Sequence, residues 1–320
     1  MASILNIPDC GGVTGTFNSG IPLCDKIRGN FLGLIALDAG VSFSPSETDT
    51  LANFIAALRT KTTAARGDRA YPMLGIWSNF EDQRKERTQA TVGNLSNVDI
   101  TLVDGLPAFA LQHRKGDIFH QKLYALKNAG CTFLVVDSNY TVYGTMDGVN
   151  FTGYSSADVY PGMPIFGNNG QVSIYPLNIS FASETEWKEN AKFIQATSSI
   201  TSLTGLRAVY LSQVSFATNV LKLGLTGDGG TNLATLFDTE FAQSGAITVV
   251  NKTSGLACTL SIAYDSATAS MAITISGTPF TGASTSDPFT VNLGTAAALA
   301  GLSSPIYGYE SAGSLEVLKP

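Results

Sequence analysis

The chain has 320 residues, more than one hydrophobic core usually serves, so two domains are expected. Charged residues make up only 14% and the net charge is −6, whereas soluble domains usually carry about 25% charged residues. That balance excludes a broad basic face for nucleic acid, and no apolar run approaches the ~20 residues of a membrane-spanning helix.

Composition changes near residue 198. Residues 198–320 hold 34 Ser and Thr but 11 charged residues, against 29 and 33 in residues 1–197. Thr- and Gly-rich, charge-poor sequence suits short strands joined by turns. The expected architecture is α+β: a β-sandwich or barrel-like body with about three packed helices, then an all-β immunoglobulin-like sandwich. The expected divisions are an extended arm over 1–30, an assembly domain over 31–197, a linker over 198–206 and the β domain over 207–320.

The arm is rich in turn residues, including Gly11-Gly12 and Asn18-Ser19-Gly20. Met1-Ala2-Ser3-Ile4 lacks the basic start of an export signal, so synthesis in a cytoplasm is expected. Phe31–Leu37 reads as a strand. Ser44, Pro45 and Glu47 form a capping box that predicts a helix from Ser44 to Arg59, with Leu51, Phe54, Ile55 and Leu58 on its apolar face. Residues 61–70 form a polar loop in which Arg66-Gly67-Asp68 is read as a chance tripeptide. Residues 81–97 read as a charged loop. Val98–Val103 and Phe109–Leu111 read as a hairpin about Asp104-Gly105. A second helix is expected over Asp117–Ala129, with Gly130 as its stop.

A β-meander follows: strands at 133–137, 140–145 and 151–154, with turns at Ser138-Asn139 and Asp147-Gly148. Residues 171–181 alternate as a strand. Ser183 and Glu186 cap a third expected helix, with Trp187, Ala191 and Ile194 as its stripe. Beyond the linker, strands are expected at 207–216, 219–225, 246–251, 256–264, 270–276, 288–293 and 306–310.

Few residues offer chemistry. His113 and His120 are the only histidines, and with Asp117 they give a His-x3-Asp-x2-His spacing. A metal site there would need a further strong ligand. Gly-x-Ser-x-Gly and Gly-Lys-Ser/Thr are both absent. Gly227-Asp228-Gly229-Gly230 lacks the lysine of a phosphate loop and reads as a turn. Asp137-x-Asn139 and Asp147-Gly148 lack the closing Glu of a calcium loop and read as Asx turns. Cys131 and Cys258 sit in apolar runs and read as buried thiols, while Cys10 and Cys24 lie in turn-rich segments where free thiols and a bridge are both open. No catalytic, cofactor or metal residue is assigned, and the chain is not expected to be an enzyme.

The capped-helix body, the stretch Asp137-Ser138-Asn139-Tyr140-Thr141-Val142-Tyr143-Gly144-Thr145 with Phe151-Thr152-Gly153, and the Thr/Ala/Gly-rich β tail together form a pattern. It resembles the major tail (tube) proteins of tailed bacteriophages that carry a C-terminal immunoglobulin-like domain. The resemblance implies a homo-oligomer of rings stacked into a tube, located in the virion with other virion proteins. It implies DNA passage without specific binding, no cofactor and no membrane. A capsid-associated accessory protein and a carbohydrate-binding or adhesion protein are the rival expectations.

Overall fold

The computed structural model describes residues 5–6, 28–83, 88–92, 98–103, 105–127, 129–168, 170 and 172–320, and of 5–6, 88–92 and 98–103 the backbone alone. The chain divides into two compact units between Leu203 and Thr204.

The first unit is built on β1 (Leu5–Asn6), β2 (Phe31–Leu37), α1 (Leu51–Thr62), β3 (Ala70–Leu74), β4 (Trp77–Asp82), β5 (Thr88–Val92), β6 (Val98–Val103) and β7 (Ala108–His113). It continues with α2 (Asp117–Leu123), β8 (Thr132–Asp137), β9 (Thr141–Asp147), β10 (Asn150–Thr152), β11 (Tyr154–Pro161), β12 (Tyr175–Phe181), α3 (Glu184–Lys188) and β13 (Ala191–Gln195). The β2 and β8 strands pair at its centre, antiparallel, and are buried on both faces. This is why β2 reads as an unbroken apolar run rather than an alternating one. Its odd residues Ile35 and Leu37 pack with Phe54, Ile55 and Leu58 of α1. Its even residues Leu34 and Ala36 pack with Phe109, Leu111, Leu177 and Ile179. Gly33 is needed for close strand approach: a Cβ there would lie 2.4 Å from the Met73 carbonyl oxygen.

One strand links the two large sheets of this unit, and β5 and β6 form a third, two-stranded sheet. The first residues of β11, Tyr154 and Ser155, pair with β8. From Ser156 the strand pairs with β12 instead, with a register shift between Ser156 and Asp158. A bulge of this kind bends a strand and re-aims its far half. The second sheet then runs β11-β12-β7-β4, all antiparallel. Its register gives it two distinct ends. Trp77, His113 and Tyr175 share one end, whereas Asp82, Phe109 and Ile179 share the other.

Several expectations are corrected. The capping box at Ser44 forms, with Ser44 N and Oγ donating to the Glu47 carboxylate at 2.7 and 2.9 Å, but it closes a separate turn. Thr48, fully buried, bonds back to the Ser44 carbonyl through its Oγ1 (3.1 Å), a local bond that competes with helix continuation. The helix starts afresh at Thr50, whose side chain accepts from Asn53 N, so α1 is Leu51–Thr62 rather than Ser44–Arg59. The second helix is shorter than expected: α2 ends at Leu123 and a 3-10 turn covers Tyr124–Leu126. The third is a single turn, and Ala191–Gln195 is a strand paired with β9 and β1. The Asp104-Gly105 hairpin does not form, because β6 pairs with β5 and β7 pairs with β4 and β12. Strand β5 lies inside the segment expected to be a charged loop.

Of the expected linker, Ser198–Ser202 is a 3-10 turn, and Ile200 and Leu203 are buried in the core beneath α1. Of the expected arm, only Leu5–Asn6 and residues 28–30 are described; Leu5 and Asn6 pair with Ile194 and Phe193. Cys10 and Cys24 lie outside the described residues.

The second unit contains β14 (Arg207–Ala217), β15 (Val220–Gly227), α4 (Leu233–Leu236), β16 (Ile247–Asn251), β17 (Thr259–Asp265), β18 (Ser270–Ser276), α5 (Thr278–Thr281), β19 (Pro288–Leu293), α6 (Ala296–Ala300), β20 (Tyr309–Ser311) and β21 (Leu315–Leu318). One sheet has the order β17-β18-β15-β14-β20 and the other β16-β19-β21. Alternation of period two turns Leu221, Leu223 and Leu225 of one sheet and Ile247, Val249, Phe289 and Val291 of the other into one shared core. The β14–β20 pair is parallel and all other pairs in this unit are antiparallel. Among the described residues no helix is long and apolar enough to cross a membrane.

Candidate assembly surface

The two histidines meet at the root of a hairpin. His113 ends β7, and His120 lies in α2; both are buried. The His113 Nε2 and His120 Nδ1 atoms are 3.2 Å apart, and His120 Nε2 lies 2.7 Å from the Gly162 carbonyl oxygen. Lys115 N donates to His113 Nδ1 at 3.2 Å. One proton arrangement satisfies all three contacts. His113 accepts at Nδ1 and donates from Nε2; His120 accepts at Nδ1 and donates from Nε2 to Gly162. Both rings are then neutral, and any added proton breaks one of these bonds. Burial, and next the neighbouring His120, lower the His113 pKa to about 4.

The rings are packed by Tyr175, stacked on His113 at 5.2 Å, and by Trp77, Phe119 and Tyr124 edge-on. Asp117 does not join the pair as a third ligand; burial, and next the neighbouring Asp117 carboxylate, raise the Tyr175 phenol pKa. Among the described residues no three His, Cys, Asp or Glu side chains converge. The pair therefore acts as a clamp, holding Gly162 at one foot of the hairpin and Tyr175 at the other.

The hairpin itself is residues 162–174, joining β11 to β12. Ile165 and Ile174 exchange backbone hydrogen bonds of 2.8 and 2.9 Å, and Gly162 N donates to Pro176 O at 2.9 Å. It contains no charged residue. Its apolar side chains nonetheless face solvent: Phe166 is 89% exposed and Met163 81%, with Ile165 and Val172 more than half exposed. Ile118 of α2, Tyr124 of the 3-10 turn after it and Tyr160 at the foot of the hairpin are exposed as well. Single exposed apolar residues are ordinary, but a cluster on one loop makes this segment a candidate interaction surface.

The remaining candidates are structural. Asp137 is buried and its carboxylate accepts from Gly29 N, Asn139 N, Thr141 N and Tyr143 Oη, each at 2.9 Å. It is an Asx turn whose second oxygen ties the start of β2 to β9. Burial and this carboxylate push the Tyr143 phenol up to about 12. In the 61–70 loop, Asp38 accepts from Gly67 N at 2.7 Å and Arg69 N at 3.1 Å, and Arg69 is buried, so Arg66-Gly67-Asp68 sits on a tied turn. Gly227–Gly230 is a turn closed by Gly230 N on Gly227 O, and Asp228 accepts from Ala208 N. Asp147-Gly148 is the β9–β10 turn. Cys131 is buried, which raises its thiol pKa to about 11, whereas Cys258 is half-buried.

Comparison with protein-family models and with curated proteins returns no match. The hairpin was not singled out in the sequence. Its signal is there, however: from Asp158 to Glu184 no charge interrupts a segment carrying Met163, Ile165, Phe166 and Val172.

Proposed function

We propose that this chain is a non-enzymatic virion structural protein, a tail-tube subunit of a tailed bacteriophage that assembles through its own copies. Residues 31–197 build the assembly, and 207–320 form an immunoglobulin-like module. Self-association is carried by one observation, the uncharged hairpin 162–174 with Phe166 and Met163 in solvent. Leaving these side chains in water forgoes roughly 1.5–3 kcal/mol each relative to full burial. The clamp at its root supports the same reading, because a loop held at both feet presents its apolar tip with little entropy left to lose. The virion and tube context rests on the sequence resemblance, and the acidic, charge-poor composition suits a lumen that DNA passes without adhering.

Electron microscopy of the concentrated full-length protein tests the reading. Rings or stacked tubes are expected, and particles that stay monomeric at every concentration would overturn it.

A further inference from the structure

The two ends of the β11-β12-β7-β4 sheet carry complementary features. The hairpin leaves the sheet at the His113 end. At the Phe109 end lies a cavity of about 160 Å³ lined by the rings of Phe31, Phe80, Phe109, Tyr143 and Trp187, with the charged residues Arg28, Asp82 and Asp137 also in its lining. Phe31 and Phe80 stack at 4.2 Å, and Phe109 meets Phe80 and Trp187 edge-on. An apolar cavity of roughly 150 Å³ accepts a benzene ring. Phe166 presents such a ring, almost wholly free.

Phe109 and His113 stand four residues apart on β7, about 13 Å at ~3.3 Å per residue, and the hairpin extends further from the His113 end. The hairpin of one molecule thus leaves in the direction away from its own cavity.

Charge points the same way. The hairpin end is flanked by Arg114, Lys115, Lys122 and Lys127 against Asp117 within 113–127. At the cavity end, among the described residues, Glu81, Asp82, Asp137, Glu184, Glu186 and Glu189 stand against Arg28, Lys188 and Lys192. Opposed fields favour one end meeting the other and disfavour like ends meeting.

We infer that Phe166 of one copy seats in the Phe31–Phe80–Trp187 cavity of a second copy, joining the chains head to tail. The inference rests on the proposed self-assembly and specifies its contact. A contact between two different patches is heterologous, so it propagates into a ring or a filament and does not stop at a two-fold dimer.

Sedimentation of the full-length chain and its variants is the test. Phe166→Asp is expected to shift assembly to at least tenfold higher concentration while leaving the thermal unfolding curve in place, because residue 166 touches little in the free molecule. Phe166→Leu is expected to keep most of the assembly. Mixing Gly167→Cys with Asp82→Cys protein under mild oxidation should give a disulfide between two chains, located by mass spectrometry of the peptides. If the wild type assembles but Phe166→Asp assembles equally well, or if the 167–82 link does not form, the contact is wrong while self-assembly stands. If the wild type stays monomeric throughout, both readings fall.

Discussion

Acidification should destabilise the first unit through the histidine clamp, by an amount that the geometry sets. Burial keeps His113 neutral in the folded state down to about pH 4, whereas an unperturbed histidine takes up its proton near 6.5. Between these values the unfolded chain binds more protons than the folded one, so stability is lost as pH falls from 6.5 toward 4. The gap corresponds to about 3 kcal/mol at pH 4, approached with a slope of at most about 1.4 kcal/mol per pH unit. Both tryptophans, Trp77 and Trp187, lie in the first unit, so their fluorescence follows its unfolding in urea without a contribution from the second. Carboxylates titrate in the same range, and the comparison with His113→Phe removes their share. The wild type minus variant stability should fall by about 3 kcal/mol between pH 7 and pH 4. Parallel curves for the two proteins would refute the buried neutral pair and the proton arrangement that follows from it.

Other consequences are open to measurement with the same fluorescence readout. Asp137→Ala removes four hydrogen bonds to one carboxylate and strands three backbone donors; a loss of roughly 3 kcal/mol or more is expected, and a loss below about 1 kcal/mol would contradict that role. Gly153→Ala would place its Cβ 2.5 Å from Phe133 N, against the backbone of β8; it should leave the first unit largely unfolded in soluble extracts, and a normal melting curve would count against so close an approach of residue 153 to β8. In the second unit, Phe289→Ala empties a fully buried site between the two sheets; calorimetry should show a loss of about 3–5 kcal/mol in that unit.

How far the sequence led depends on whether a signal was local. Strands with clean alternation or turn punctuation, such as 133–137 and 270–276, were legible because side-chain period and turn chemistry are properties of neighbouring residues. Trp187, Ala191 and Ile194 misled because a spacing of four and three fits a helix, while the pairing of 191–195 with β9 is decided by a strand some 50 residues away. Asp104-Gly105 misled for the same reason: both flanking strands found better partners elsewhere. The Ser44–Glu47 box was read correctly as a local bond pattern and wrongly as a helix start, since Thr48 and Thr50 redirect the chain just beyond it. The candidate surface was less legible still. Its uncharged run is visible in the sequence, but the pairing of the histidines at its root, and the gathering of the aromatic cavity at the far end of the sheet, are each set by strand register.

Sedimentation velocity of the full-length protein across a concentration series, beside Phe166→Asp, bears most directly on the claim that this chain exists to pair with itself. Growth from single chains into large, regular particles, postponed in the variant, is the result expected. A single slow boundary for the wild type from micromolar to millimolar protein would contradict it.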